Sequence, residues 1–337
     1  MADDLRMGWQ ISAQAHPDHA KWAQYGGRLF ATTAWAKVLA TLGAEPLHAW
    51  HPGRGVGVVV PVFRRFGFRI GFLGLPWAGE EFDAMPAGAL AQCAAGIAAT
   101  ARLAFVRVTQ GMQMQLDSRA AGVRPEAWIA DLPTWRLTDH KRLRKDLAFA
   151  RRAAPAMELA DRGFDAEVCH ALYAATVARN SGTARYGPGY FVALAELAID
   201  DPLLAFFVAK EGSRIRGFAV VALHGKVANY LHGAVDAEGR RQGISDLLLE
   251  RLVSFARDAR MQRFTLMASP WTQPGLLRFK EKWADRKGLS VTYDYGYGLL
   301  GTCAARASRW RSRQDHISAT HISATHAANP EVFRTED

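Results

Sequence analysis

Hydrophobic positions along this chain follow two rhythms. Short apolar runs rich in β-branched residues, bounded by Gly, Pro or charge, predict strands at Glu45–Trp50, Val56–Phe63, Phe68–Leu75 and Leu103–Val108. Pro52-Gly53-Arg54-Gly55 supplies the turn between the first two. Helical spacing predicts Phe30–Leu42 and the alanine-rich Pro86–Ala101, which opens on proline. Beyond Pro155 the grammar changes. A short strand at Met157–Ala160 precedes helices over Phe164–Arg179 and Pro188–Ala198. Three β runs follow, Leu203–Lys210, Ile215–Leu223 and Val227–Val235, joined by glycine turns into a meander. Helix Asp246–Ala259, strand Arg263–Met267, helix Gly275–Trp283 and strand Leu289–Tyr295 complete the series. This order predicts an α+β sandwich, one sheet with helices on both sides. Three segments are expected: 1–153, 154–303, and a basic, disordered tail at 304–337 in which His316–Thr325 repeats the pentapeptide His-Ile-Ser-Ala-Thr.

Between the first two segments lies the most charged stretch, His140–Arg152. Leu143, Leu147 and Ala150 share one helical face, and Lys141, Arg142, Arg144, Lys145, Arg151 and Arg152 occupy the rest. Such a helix is either a solvated amphipath or a surface that faces RNA or another anion.

Composition narrows the class. With 337 residues, 49% hydrophobic and 22% charged, the chain is long enough for two domains with cores of their own. No apolar run approaches the roughly 20 residues of a membrane helix, and the first residues are acidic where a signal peptide is basic. Cytoplasmic residence without integral membrane contact is therefore the expectation. Three distant cysteines, Cys93, Cys169 and Cys303, build neither a disulfide framework nor a zinc-ligand spacing. A net charge of +10 favours anionic partners, whether nucleic acid, nucleotide-linked substrates or an anionic membrane surface, although an arginine-rich composition raises charge by itself. The histidines of the tail have no ordered frame for a metal, and no metal is expected. Ser/His/Asp, HExxH, Walker and Rossmann patterns do not occur.

Two stations carry chemistry. Arg240-Arg241-Gln242-Gly243-Ile244-Ser245 opens a helix with glycine and cations, where free backbone N–H groups and a positive dipole end suit a phosphate. Leu277-Arg278-Phe279-Lys280-Glu281-Lys282-Trp283 sets a lysine beside an aromatic residue; Glu281 and Lys282 read as surface, and Phe279 suits helix core as well as a base-stacking role. Strand alternation places Tyr230, His232 and Ala234 on one sheet face. His232 suits either proton transfer or a hydrogen-bonded place in the core.

The element order of the second segment, with Arg240-x-x-Gly243-x-Ser245 between its fourth strand and long helix, resembles the GNAT acetyltransferase superfamily, whose loop reads Gln/Arg-x-x-Gly-x-Gly/Ala; Ser245 is the departure. Over roughly residues 25 to 297 the chain further resembles the FemAB-like proteins, which carry two GNAT-type domains in tandem and join amino acids from aminoacyl-tRNA to an amine. The residues that carry this are Lys141–Arg152, Thr176-x-x-Arg179 with Gly182 and Tyr190-Phe191, Tyr230–Ala234, Gly275-Leu276 and Arg278-Phe279-Lys280. The resemblance implies two tandem GNAT-like domains, each with a mixed, mainly antiparallel sheet flanked by helices. It implies an acyltransferase that forms an amide, with no permanently bound cofactor and with aminoacyl-tRNA, or alternatively acyl-CoA, as co-substrate. Lys280 would stabilise the oxyanion and His232 would move a proton. Arg240, Arg241, Gln242, Gly243, Ile244, Ser245 and Phe279 would hold the donor. Thr176, Arg179, Arg185, Tyr186, Tyr190 and Tyr230 would hold an amine-bearing small molecule, peptide or sugar. DNA is not an expected partner. A non-catalytic RNA- or anion-binding protein of the same fold is the remaining expectation.

Overall fold

A computed structural model describes residues 6–65, 67–74, 85–115, 119–153, 155–161, 164–180 and 182–308. Its first half runs β1 (Gln10–Ser12), α1 (Pro17–Tyr25), α2 (Thr33–Ala40), β2 (Glu45–His51), β3 (Val56–Arg65), β4 (Phe68–Gly74), α3 (Ala87–Ala101), β5 (Phe105–Gln113), β6 (Gly122–Ile129) and α4 (Lys141–Ala150). The second half runs β7 (Ala156–Leu159), α5 (Ala166–Arg179), α6 (Pro188–Asp200), β8 (Leu204–Glu211), β9 (Arg214–His224), β10 (Val227–Val235), α7 (Ala237–Arg241), α8 (Ile244–Asp258), β11 (Arg263–Thr265), α9 (Pro274–Glu281) and β12 (Arg286–Gly296). The meander and the helices after it match the expected order. β1, α1, α7 and β6 were not foreseen from the spacing of apolar residues. Residues 298–308 are helical, so the tail expected from residue 304 begins inside a helix; its repeats lie outside the described residues.

The described strands form one 12-stranded sheet in the order β1-β2-β3-β4-β5-β12-β6-β11-β10-β9-β8-β7. Only β4–β5 and β10–β11 pair in parallel; every other pairing is antiparallel. The two halves therefore mirror one another, each with an antiparallel run that ends in a parallel pair. Each half also gives its last strand away. β12 lies against β5 of the first half, β6 lies against β11 of the second, and the two pair with each other in the middle. Arg107 on β5 binds Asp294 on β12 through two hydrogen bonds of 2.8 and 2.9 Å, which fixes the register of this exchanged strand.

Three apolar clusters clothe the sheet. Leu143 and Leu147 of α4, Leu248 and Leu252 of α8, Phe264 and Trp283 form one. On the opposite face α2 and α6 bury Trp35, Phe191 and Leu194 against Phe206 and Phe218. α3 buries Leu90 and Ile97 against Val58, Val60 and Val106 in the first half. The chain's one surplus of small residues, on α3, is thus spent on helix–sheet packing rather than on a ligand site.

Candidate active site

β10 pairs with β11 only from Val227 to Asn229, whereas β10 itself continues to Val235. The sheet splits beyond Asn229, and the candidate site is built around this split. Immediately past it β10 bulges: Tyr230 faces Val221 of β9, His232 faces Val220, and Leu231 is the extra residue. A bulged residue is left without a ladder partner. The bulge also corrects the expected alternation. Tyr230 packs on the α8 side, its hydroxyl so close over Gly233 that a Cβ there would lie 2.0 Å away. His232 packs on the α5–α6 side with Phe191. The predicted acceptor residue Tyr230 is therefore separated from the others by the thickness of the sheet.

The remaining aromatic residues do converge. Tyr186 stacks on Tyr190 with centroids 4.5 Å apart, and Tyr173, Tyr186, Tyr190 and Phe191 surround the imidazole at 4.8 to 6.0 Å. Nε2 of His232 shares a 2.9 Å hydrogen bond with the Tyr190 hydroxyl. Burial drives the His232 pKa down to about 3 and the Tyr186 pKa up to about 12, so the box is uncharged at neutral pH. The ring is expected not to titrate between pH 5 and 8, and its imidazole C–H resonances should stay fixed over that range. A titration midpoint near 6.5 would show that the ring is solvated instead. Arg179 and Arg185 stand exposed at the rim, with Thr176 beside Arg179 at 3.5 Å.

The donor-side residues also assemble. Gly243 takes a left-handed φ of 74° and opens α8 with no side-chain cap; of the first-turn N–H groups, that of Asp246 bonds the Gly243 carbonyl at 3.0 Å. α4 packs directly over this loop, where a Cβ on Gly243 would meet the Ala150 Cβ at 3.0 Å. The basic helix and the loop, far apart in sequence, therefore line one cleft of about 610 Å³ with Lys145, Phe149, Arg152, Arg240, Arg241 and Gly243. Two carboxylates at this cleft, Asp146 and Asp246, are bridged by the single ammonium of Lys282 at 3.1 and 2.7 Å. Asp246 also accepts from the Trp283 indole at 3.0 Å. Lys282, read from sequence as a surface residue, is thus a partly buried clasp between α4 and α8. Lys145, Arg152 and Arg240 form no ion pair among the described residues. Partial burial, and after it the positive field of Arg240, hold the Arg179 pKa below its usual value. At the other end of α4, His140, Lys141, Arg142, Arg278 and Lys287 line a second cleft of about 360 Å³.

Lys280 stands at the split itself. It is 6% exposed, and its ammonium donates to the carbonyls of Met267 at 2.9 Å and Ala268 at 3.3 Å, just past the end of β11. Burial lowers its pKa to about 7 against the upward pull of Glu126. Phe279 packs into the α8-side cluster and carries the Lys282 ammonium 5.3 Å from its ring centroid. Its helix-core reading is the one the packing fits. Glu126, Asp246 and Tyr173 were missed from sequence. A lone glutamate in the run Glu126-Ala127-Trp128-Ile129 was the signal available for the first of them.

The acetyltransferase (GNAT) domain family matches residues 138–281, which contain the split, the loop and Lys280. No curated protein sequence matches the chain. Among solved structures, FemX superposes with a TM-score of 0.61 at 12% identity, over 86% of this chain and 97% of its own. The C-terminal domain of a putative lysylphosphatidylglycerol synthetase from Agrobacterium fabrum gives 0.52 at 15%, over 85% and 93%. L-PGS from Bacillus licheniformis gives 0.50 at 16%, over 88% and 97%. These likenesses are of fold, and they extend across both halves. Residues 138–281 match the acetyltransferase (GNAT) domain family, and the chain as a whole shares the fold of FemX.

Proposed function

We propose that this protein forms an amide by moving an aminoacyl or acyl group from a phosphorylated carrier, foremost aminoacyl-tRNA, to an amine. One observation carries the reading. The cleft at Gly243 has its two carboxylates bridged by Lys282, while among the described residues Lys145, Arg152 and Arg240 form no ion pair beside the uncapped start of α8. That is the electrostatics of a polyanion seat. The second basic cleft along α4 extends the same field further than a small carrier needs. A second reading, acyl-CoA as donor, is favoured by the left-handed Gly243 that opens α8, since that loop suits a single pyrophosphate.

In this reading the acceptor enters between α5, the 182–187 loop and β10, beneath Arg179 and Arg185. Its uncharged amine attacks the donor carbonyl directly, the tetrahedral oxyanion forms beside Lys280, and the C–O bond to the carrier breaks as the leaving oxygen takes up a proton. A neutral imidazole with so low a pKa, already bonded to Tyr190, is a weak base. His232 therefore orients the acceptor pocket, and the amine's proton departs to water or to the leaving group.

The test is thermal stabilisation followed by product mass. Aminoacyl-tRNA is expected to raise the melting temperature more than acyl-CoA, and incubation with candidate amines to yield an amide. Neutralising Lys145, Arg152 and Arg240 together should flatten the slope of log affinity against log salt by about 2 to 3. Stabilisation by acyl-CoA alone would transfer the reading to that donor. Tight RNA binding with no amide from any donor would leave a non-catalytic binder.

A further inference from the structure

We propose that Glu126 is the positioning residue for Lys280: a carboxylate contributed by the first half's exchanged strand holds the second half's ammonium in place at the split. The inference rests on the acyl-transfer reading for its purpose, but not for its geometry. After β11 the chain follows β6 in an interrupted way. Leu266 N–H donates to Ala127 O at 3.0 Å and Ser269 N–H to Pro125 O at 2.9 Å, so Met267 and Ala268 arch away opposite Glu126. Met267 adopts φ of 62°, a left-handed conformation that costs a side-chain-bearing residue and persists only when its surroundings impose it. The surroundings are a chain of bonds. Met267 N–H donates to Thr265 Oγ1 at 3.0 Å, and the Thr265 hydroxyl donates to Glu126 Oε1 at 2.5 Å. The other carboxylate oxygen accepts Met112 N–H at 3.0 Å, and Met112 too has a positive φ, 51°. The arch so formed turns the carbonyls of Met267 and Ala268 onto the Lys280 ammonium.

Both carboxylate oxygens are engaged, one by the Thr265 hydroxyl and one by the Met112 N–H. An amide in that place would keep these bonds only with the Thr265 hydroxyl turned to accept, and it would carry no charge. Glu126 is 4% exposed; burial pushes its carboxyl pKa up, while the bonds from Thr265 and Met112 and the charge of Lys280 pull it back toward the ionised form. Glu126 is also the ionisable group whose field reaches Lys280. Of the other charged groups near Lys280, Arg278 is exposed and lines the second cleft, Glu281 pairs with Lys287, and Lys282, just past the helix, pairs with Asp146 and Asp246. Thr265 on β11 is uncharged, and the segment 265–269 brings no ionisable side chain.

Competitive labelling of Lys280 with acetic anhydride as a function of pH, read by peptide mass, tests this without turnover. In Glu126→Gln the Lys280 midpoint is expected to fall by about 1 or more, because the opposing charge is gone. Glu126→Asp, which keeps the charge, should recover most of that fall. In any amide-forming assay that responds, Glu126→Gln should lower kcat with KM for the donor little changed and move the alkaline limb of the pH profile downward, and Glu126→Asp should partly restore both. Equal labelling profiles for wild type and Glu126→Gln, or identical behaviour of the Gln and Asp variants, would overturn the proposal. Should Glu126→Gln not fold, the double variant Glu126→Gln/Lys280→Met, which buries no lone charge, is expected to fold; failure of both overturns it equally. A shifted labelling midpoint in a protein that makes no amide from any donor would retain the role of Glu126 and reject the acyl-transfer reading.

Discussion

Replacing Lys280 by methionine is expected to lower kcat for amide formation by about 10²- to 10³-fold, the loss typical of removing one oxyanion donor. The substitution keeps the length and apolar stem of the side chain but removes the ammonium that lies at the split. Donor affinity should change little, because the cations around Gly243 are untouched. The measurement is therefore a pair: turnover, and the thermal shift given by the donor. Loss of both together would mean that the variant disturbs the sheet rather than the chemistry. Two carbonyls, of Met267 and Ala268, lose their donor at the same time, so a modest loss of stability accompanies the change. Lys280 is also the group that connects the reaction to pH. Its pKa, held near 7 by burial against Glu126, makes the charged form the minority as pH rises above about 7. If the ammonium is the active form, turnover falls on the alkaline side of neutrality. Stability runs the other way: between pH 7 and 10.5 the unfolded chain binds a proton at this lysine that the folded chain has lost, so folding gains as pH rises through that window.

The largest effect on stability is expected at Trp283. Trp283→Ala should cost about 3 to 5 kcal/mol, measurable by urea denaturation, because a 1% exposed indole is removed from a close-packed cluster. More than volume is lost. The ring lies parallel to Trp135 with centroids 6.0 Å apart, and its N–H satisfies the buried carboxylate of Asp246. Trp283→Phe separates the contributions, since it fills most of the space and leaves only the hydrogen bond unmade, for a cost of about 1 to 3 kcal/mol. If alanine and phenylalanine proved equally harmful, the bond to Asp246 rather than packing would dominate. Because Asp246 and Lys282 hold α4 against the phosphate loop, both variants should also weaken donor binding.

The second half was legible in the sequence because its strands and helices carry clean periodicities and its loop carries glycine with arginines at the head of a helix. Local patterns of that kind are set by local physics. β6 was not legible: Pro125 and Glu126 interrupt it, and its partners, β11 and β12, lie more than 130 residues further along the chain. No local window reports such pairing. The bulge at Leu231 was hidden for the same reason, since it is a property of two strands together, and it alone decides that Tyr230 and His232 face opposite ways. Lys282 misled because a lysine between glutamate and tryptophan reads as a wet position. Only the meeting of Asp146 from α4 with Asp246 from α8 makes burial tolerable there. Tyr186 with Tyr190, and Arg240–Gly243, were legible in the sequence as groups; that His232 meets the first group, and Lys145 and Arg152 the second, was not.

The exchange of β6 and β12 has a consequence for synthesis. Strand β12 sits at positions 286–296, and among the described strands it is the one that pairs with the edge of β5 away from β4. A nascent chain that has emitted residues 1–153 therefore cannot complete its first half on the ribosome, and must hold the naked edge of β5 open while the whole second half is made. Pairing over such a sequence distance is slow, so the chain passes through a long-lived stage in which two unfinished edges seek partners. Two copies caught at that stage are able to trade last strands with each other instead of within one chain, and the same geometry that joins the halves of one molecule would then join two molecules into an interlocked pair.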